Sequence, residues 1–136
     1  MPAIAEVRFA RPVADLAAAL RFYRDGLGLP VLGGFEGHAG YDGVMVGLPG
    51  ADWHLELTTC PGRPPSAAPG PEELLVLYYP EPADRDAAVA RLASLGFEPV
   101  APENPYWIGR AVTVPDPDGF RVVLFAGRFR SLRSFS

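Results

Sequence analysis

The segment His54-Leu55-Glu56-Leu57-Thr58 brings an imidazole and a carboxylate two residues apart in an apolar run. If it is a strand, side chains alternate between faces, so His54, Glu56 and Thr58 share one. That pairing suits proton transfer or part of a metal site, although a solvent-exposed or structurally satisfied histidine is the commoner case. The other histidine, His38, lies in Glu36-Gly37-His38-Ala39-Gly40-Tyr41-Asp42-Gly43, a Gly-flanked segment that is either a binding loop or a plain hairpin turn. In Pro102-Glu103-Asn104-Pro105-Tyr106-Trp107, two adjacent aromatics sit on a proline-stiffened loop. Their rings can wall a planar or apolar ligand, plug the sheet or make a dimer contact. Arg110 and Arg121 add cations suited to anionic groups, and strand parity puts Arg121 on the face of Val123. Cys60 has no clear base beside it and reads as a small hydrophobe.

The elements that must position these groups follow from periodicity and breakers. Residues 4–11 read as a strand, and Asp15 caps a helix from Leu16 to about Gly26, with Leu16, Leu20, Tyr23 and Leu27 at helical spacing. Strands follow near 31–36, 41–48 and 52–59. A Pro/Gly/Ser/Ala segment over 61–71 reads as a linker. The order then repeats, with a strand at 74–79, an Ala-rich helix at 84–95, and strands near 97–101, 110–114 and 120–126. Leu27-Gly28-Leu29 and Leu95-Gly96-Phe97 stand at corresponding places, as do Leu55-Glu56-Leu57 and Val122-Val123-Leu124. Each half is therefore βαβββ, and the expectation is an α+β protein of two tandem modules forming a curved mixed sheet around a cleft. The modules span about 4–60 and 72–127 within one domain, 1–127, followed by an arginine-containing tail, 128–136.

At 136 residues the chain is long enough for one domain with a real core. Its net charge of −4 argues against a nucleic-acid-binding surface, which needs a basic face. All 12 of its basic residues are arginine. A single cysteine excludes an internal disulfide, and the start lacks the basic-then-apolar pattern of a signal peptide. No apolar run is long enough to span a membrane. The chain is thus expected to be cytoplasmic.

Phe22-Tyr23-Arg24-Asp25-Gly26-Leu27-Gly28-Leu29 after the first helix, and Asp116-Pro117-Asp118-Gly119 before the last strand, resemble the vicinal oxygen chelate superfamily. That group includes glyoxalase I, extradiol dioxygenases, fosfomycin-resistance enzymes and bleomycin-binding proteins. The resemblance covers about residues 4–127, and the loop at 102–107 is similar to that of a glyoxalase-like subgroup. It implies a divalent metal held by His or Glu side chains on four strands. The matching positions here are Arg8 in the first strand, Glu56 in the fourth, Glu73 or Leu74 in the fifth, and Val123 in the last. Arginine has no lone pair to give and valine nothing at all, so no metal is expected. An Arg8 guanidinium beside the Glu56 carboxylate is expected instead, either as a leftover ion pair or as a group that orients a ligand.

The leading expectation is a glyoxalase/bleomycin-resistance-like protein that binds a small, partly aromatic or anionic molecule without a metal or other cofactor. Its cleft would be lined by Arg8, His38, His54, Glu56, Tyr106, Trp107, Arg110 and Arg121. The alternative is a lyase, isomerase or dioxygenase with a rearranged divalent-metal site, in which His54, Glu56 and His38 converge, with Glu73 as a further ligand. A third is an interaction domain with no chemistry. The resemblance also implies a homodimer; neither nucleic acid nor membrane is expected as a partner.

Overall fold

The computed structural model describes residues 3–65, 67 and 69–129. Of the 128–136 tail only Arg128 and Phe129 fall among them, and Ser66 and Ala68 of the linker lie outside. The chain divides into two compact units, Met1–Ala68 and Pro69–Ser136.

The first unit runs β1 (Val7–Pro12), α1 (Leu16–Leu20) with a π-helical continuation (Arg21–Gly26), β2 (Val31–His38), β3 (Tyr41–Gly47) and β4 (Trp53–Thr59). Asp15 starts the helix as expected. Its carboxylate accepts from Ala17 N at 2.8 Å and Ala18 N at 3.2 Å, two donors that helix geometry leaves unpaired. The following turn widens so that Leu27 N reaches Phe22 O. This carries the Phe22 and Tyr23 rings inward, and both are fully buried. The four strands lie in the order β1-β4-β3-β2, with β1 parallel to β4 and the other pairs antiparallel. Leu55 and Leu57 of β4 and Val44 and Val46 of β3 share the buried face, and α1 packs against β4. His54, Glu56 and Thr58 therefore occupy the opposite face.

The second unit runs β5 (Leu74–Tyr79), α2 (Pro82–Ser94), a 3-10 turn (Pro105–Trp107), β6 (Ala111–Pro115) and β7 (Arg121–Ala126), with sheet order β5-β7-β6. The helix begins two residues before the expected Asp84, because Pro82 needs no N–H partner in a first turn. The strand expected near 97–101 is reduced to one bridge, Val100 to Thr113. Pro99 and, just beyond the stretch, Pro102 lack the N–H groups that a ladder needs, and Val100 N donates to Thr113 O at 2.9 Å.

The Asp-Pro-Asp-Gly segment joins β6 to β7 for a structural reason. Asp116, 5% exposed, accepts from Asp118 N and Phe120 N, each at 2.9 Å. Gly119 takes the left-handed φ of 88° that closes the turn. In β7, Val122, Val123 and Leu124 are all fully buried, and α2 packs against β7 and β5.

Candidate functional site

Two clusters of the sequence-level candidates form, one in each unit. In the first, the parallel register of β1 and β4 sets Arg8 opposite His54 and Ala10 opposite Glu56. Arg8 Nε donates to His54 Nε2 at 2.9 Å and its Nη1 to Glu56 Oε2 at 3.2 Å. His54 Nδ1 lies 3.3 Å from Glu6 Oε2. Glu56 and His54 are largely shielded, with 16% and 12% of their side chains exposed, whereas Arg8 is 49% exposed.

An arginine nitrogen can only donate, so the Arg8 bond requires a lone pair on His54 Nε2. The imidazole proton then sits on Nδ1, facing the Glu6 carboxylate. Both ring nitrogens are engaged, and so is one oxygen of Glu56. This is a satisfied polar network, with no spare lone pair on His54 for a substrate proton or a metal. Glu6 was missed at the sequence level. Its signal was simple: it stands two residues before Arg8, on the same parity.

His38 does not join this group. It ends β2 opposite Tyr41, whereas His54 is opposite Gly47 at the far end of β3. Ala39 and Gly40, both with positive φ, make a tight hairpin there, and the His38 ring stands edge-on to Phe35 at 6.2 Å. The expected convergence of His38 with His54 and Glu56 is therefore corrected: a hairpin that short holds its tip at one end of the strands. Glu73 is likewise engaged locally, accepting from Gly70 N at 2.8 Å.

The second cluster is a pocket of about 430 Å³ in the second unit. Tyr78, next to last in β5, stands directly opposite Phe125 on β7, their centroids 5.4 Å apart. Trp107 meets Phe125 edge-on at 6.1 Å, and Tyr106 meets Trp107 edge-on at 4.8 Å. The loop bearing them is held by Asn104, whose side chain accepts from Tyr106 N at 3.0 Å and caps the 3-10 turn. That turn splays the two neighbours: Trp107 is half-buried, Tyr106 is 53% exposed. The Arg110 guanidinium lies over the Tyr106 ring at 4.7 Å. Arg128 and Phe129 complete the rim.

Gly127 shapes this wall. Its φ is 142°, its N–H donates to Tyr79 O at 2.7 Å, and a Cβ there would come 3.0 Å from Phe125 Cε1. Tyr78, Phe125, Gly127 and Arg128 were not foreseen, although two aromatics ending two apolar strands were the available signal. Arg121, by contrast, does not line the pocket. It donates to Ala101 O at 3.2 Å, near the other end of β7. On β5, the Tyr79 phenol points to the opposite face from Tyr78; burial pushes its pKa above the usual phenol value, with Arg91 opposing.

Against this geometry the chain compares closely with known proteins. Residues 7–58 match the YycE-like N-terminal domain family and residues 72–126 the YycE-like C-terminal domain family. The chain is 46% identical to YycE of Bacillus subtilis over 119 residues, 88% of this chain and 86% of that protein. This chain belongs to the YycE-like family. Its structure is similar to that of B. subtilis YycE with a TM-score of 0.88, at 44% identity over 94% of this chain and 93% of that one. TnmS3, an antibiotic binding protein from a Streptomyces species, superposes with a TM-score of 0.67 and 33% identity, over 93% of this chain and 98% of that one. Leishmania major glyoxalase I shares the fold, with a TM-score of 0.71 at 21% identity over 93% of this chain and 88% of that one. The YycE-like family thus sits in the vicinal oxygen chelate superfamily.

For a YycE-like protein the superfamily's metal positions can be tested one by one. Arg8 is a cation bonded to the only carboxylate of the set, Glu56. By register Leu74, opposite Arg121, is the repeat of Arg8 opposite His54, and Val123 is the repeat of Glu56. Neither has a donor atom. Among the described residues no group of three or more His, Cys, Asp or Glu side chains is placed to hold an ion. This donor set does not fit a divalent metal.

Proposed function

We propose that this YycE-like protein binds a small, partly aromatic or anionic molecule in the pocket of its second unit, without a metal. The observation that carries this reading is the run of Tyr78, Phe125, Trp107 and Tyr106 around a cavity of about 430 Å³, inside the range of about 300–1,000 Å³ common for small-molecule sites. Large aromatic rings left accessible on a protein surface mark places where apolar contact is completed by something else. TnmS3, at 33% identity, is an antibiotic binding protein, which supports a binding rather than a catalytic role. The Arg8–Glu56–His54–Glu6 network stands as a structural device that ties β1 to β4 where the superfamily's enzymes place a metal. In the same reading the protein is a cytoplasmic homodimer.

The test is a thermal-shift screen of aromatic and anionic small molecules on protein purified without added metal. Molecules bound at the pocket raise the melting temperature of the native protein and leave Trp107→Ala unmoved. Compounds that stabilise both proteins alike overturn the assignment of the site. The metal-free part is checked by titrating Ni²⁺, Zn²⁺ or Fe²⁺: the melting temperature stays constant, and a rise of several degrees at one equivalent overturns it.

A further inference from the structure

We infer that this pocket selects a single molecule that is both flat and anionic, an aromatic ring bearing a carboxylate or a comparable anionic oxygen. Its ring would lie against Trp107 and Phe125 and its charge at Arg110 and Arg128. The inference rests on the reading of the pocket as a ligand site and adds the chemistry of what enters it.

Charge sets this selectivity. The chain carries 16 acidic residues against 12 basic ones, yet the pocket lining holds two arginines and no Asp or Glu. Three arginines elsewhere are neutralised by carboxylates, Arg8 by Glu56, Arg24 by Asp25 and Arg85 by Asp86, whereas Arg63 and Arg121 are bonded to Tyr41 Oη and Ala101 O. Arg110 and Arg128 have no carboxylate partner among the described residues. Arg110 instead lies over the Tyr106 ring, its guanidinium carbon 4.7 Å from the ring centroid, a contact that uses no N–H donor and so leaves the N–H groups for an acceptor. A planar fork held beside aromatic walls matches a carboxylate attached to an aromatic ring, because the two groups of such a ligand are held in a fixed relation. Charge-assisted bonds at the arginines and ring contacts at Phe125 then act on one rigid molecule, with little ordering cost. A cationic ligand would be repelled by the two guanidinium groups, and a neutral one would gain no charge-assisted bond from them.

The experiment compares 2-naphthoate with its neutral counterpart, 2-naphthalenemethanol, by isothermal calorimetry on the full chain at low salt. The expected result is at least about tenfold tighter binding of the carboxylate, equivalent to about 1.4 kcal/mol. In Arg110→Gln/Arg128→Gln the two probes bind within about threefold of each other, and raising the salt shrinks the preference in the native protein. Both arginines are exposed, so unchanged melting temperature is expected in the double variant. Trp107→Ala weakens both probes alike. Equal affinity of the two probes for the native protein overturns the anionic selectivity and leaves the pocket reading standing. Binding of neither probe, or binding indifferent to Trp107→Ala, overturns both.

Discussion

Arg8 donates from Nε to Nε2 of His54 at 2.9 Å, and that single bond decides which imidazole nitrogen carries the proton. The same guanidinium reaches Glu56, so one half-exposed side chain satisfies the two most reactive-looking groups of β4. A histidine and a glutamate on one strand face look like catalytic or metal-binding residues until the neighbouring strand supplies their partner.

Replacing Arg8 with Ala therefore changes His54 in a way that can be read directly. Ring ¹⁵N shifts of neutral His54 in the native protein report the proton on Nδ1; in Arg8→Ala they move towards a mixture of tautomers. The Glu56 carboxylate is left without its cation, and denaturant unfolding shows a loss of about 1 kcal/mol, held to that size by the solvent exposure of Arg8. An unchanged tautomer would show that the bond is not made in solution.

Gly127→Ala tests the pocket wall without removing any of its side chains. The native φ of 142° is strained for alanine, and the new methyl would crowd the Phe125 ring. A stability loss of about 1–3 kcal/mol is expected. Weaker binding of 2-naphthoate is expected with it, because Phe125 must turn aside. Retained stability and binding together would mean that Phe125 has another rotamer equally suited to the site.

At alkaline pH, Tyr79 governs a measurable part of the stability. Burial raises its folded-state pKa, so the neutral phenol is the form that the fold favours. Its contribution is complete below the unfolded phenol pKa of about 10 and is lost as pH rises through the folded value. The sequence contains no lysine, which leaves few other groups titrating there. Unfolding curves from pH 8 to 11 should thus fall more steeply for the native protein than for Tyr79→Phe. Parallel curves would refute the assignment.

Asp116→Ala removes the acceptor for two turn N–H groups, the half-buried one of Asp118 and the buried one of Phe120. The expected cost is about 1–3 kcal/mol in denaturant unfolding, since the donors stay shielded without a partner. Asp116→Asn, which keeps one acceptor oxygen, recovers part of it. A neutral Asp116→Ala would mean that the turn opens to water.

Much of this organisation is local and can be read along the chain. Asp15 caps its helix through the residues two and three ahead, Asp116 closes a turn through residues two and four ahead, and alternation along β4 separates Leu55 and Leu57 from His54 and Glu56. Such features depend on short-range geometry, in which covalent connection already holds the partners close. The stretch at 97–101 was legible in principle too, since Pro99 within it and Pro102 just after it lack the donors that a strand needs.

What the linear pattern left open was every choice between distant partners. Whether Glu56 would meet a metal ligand or Arg8 depended on the parallel register of β1 against β4, which aligns residues 8 and 54. Whether Trp107 would wall a site depended on the Tyr78–Phe125 pair, brought together only when β5 and β7 align across the whole second module. Arg121, two residues from Val123 and on the same parity, was spoken for by Ala101 O at the end of a loop. Periodicity assigns a side chain to a face; register and loop path assign its neighbours. On β4 the register is settled by burial of Leu55 and Leu57 beside Val46 and Val44 of β3, where a slip of one residue would turn the apolar face to water.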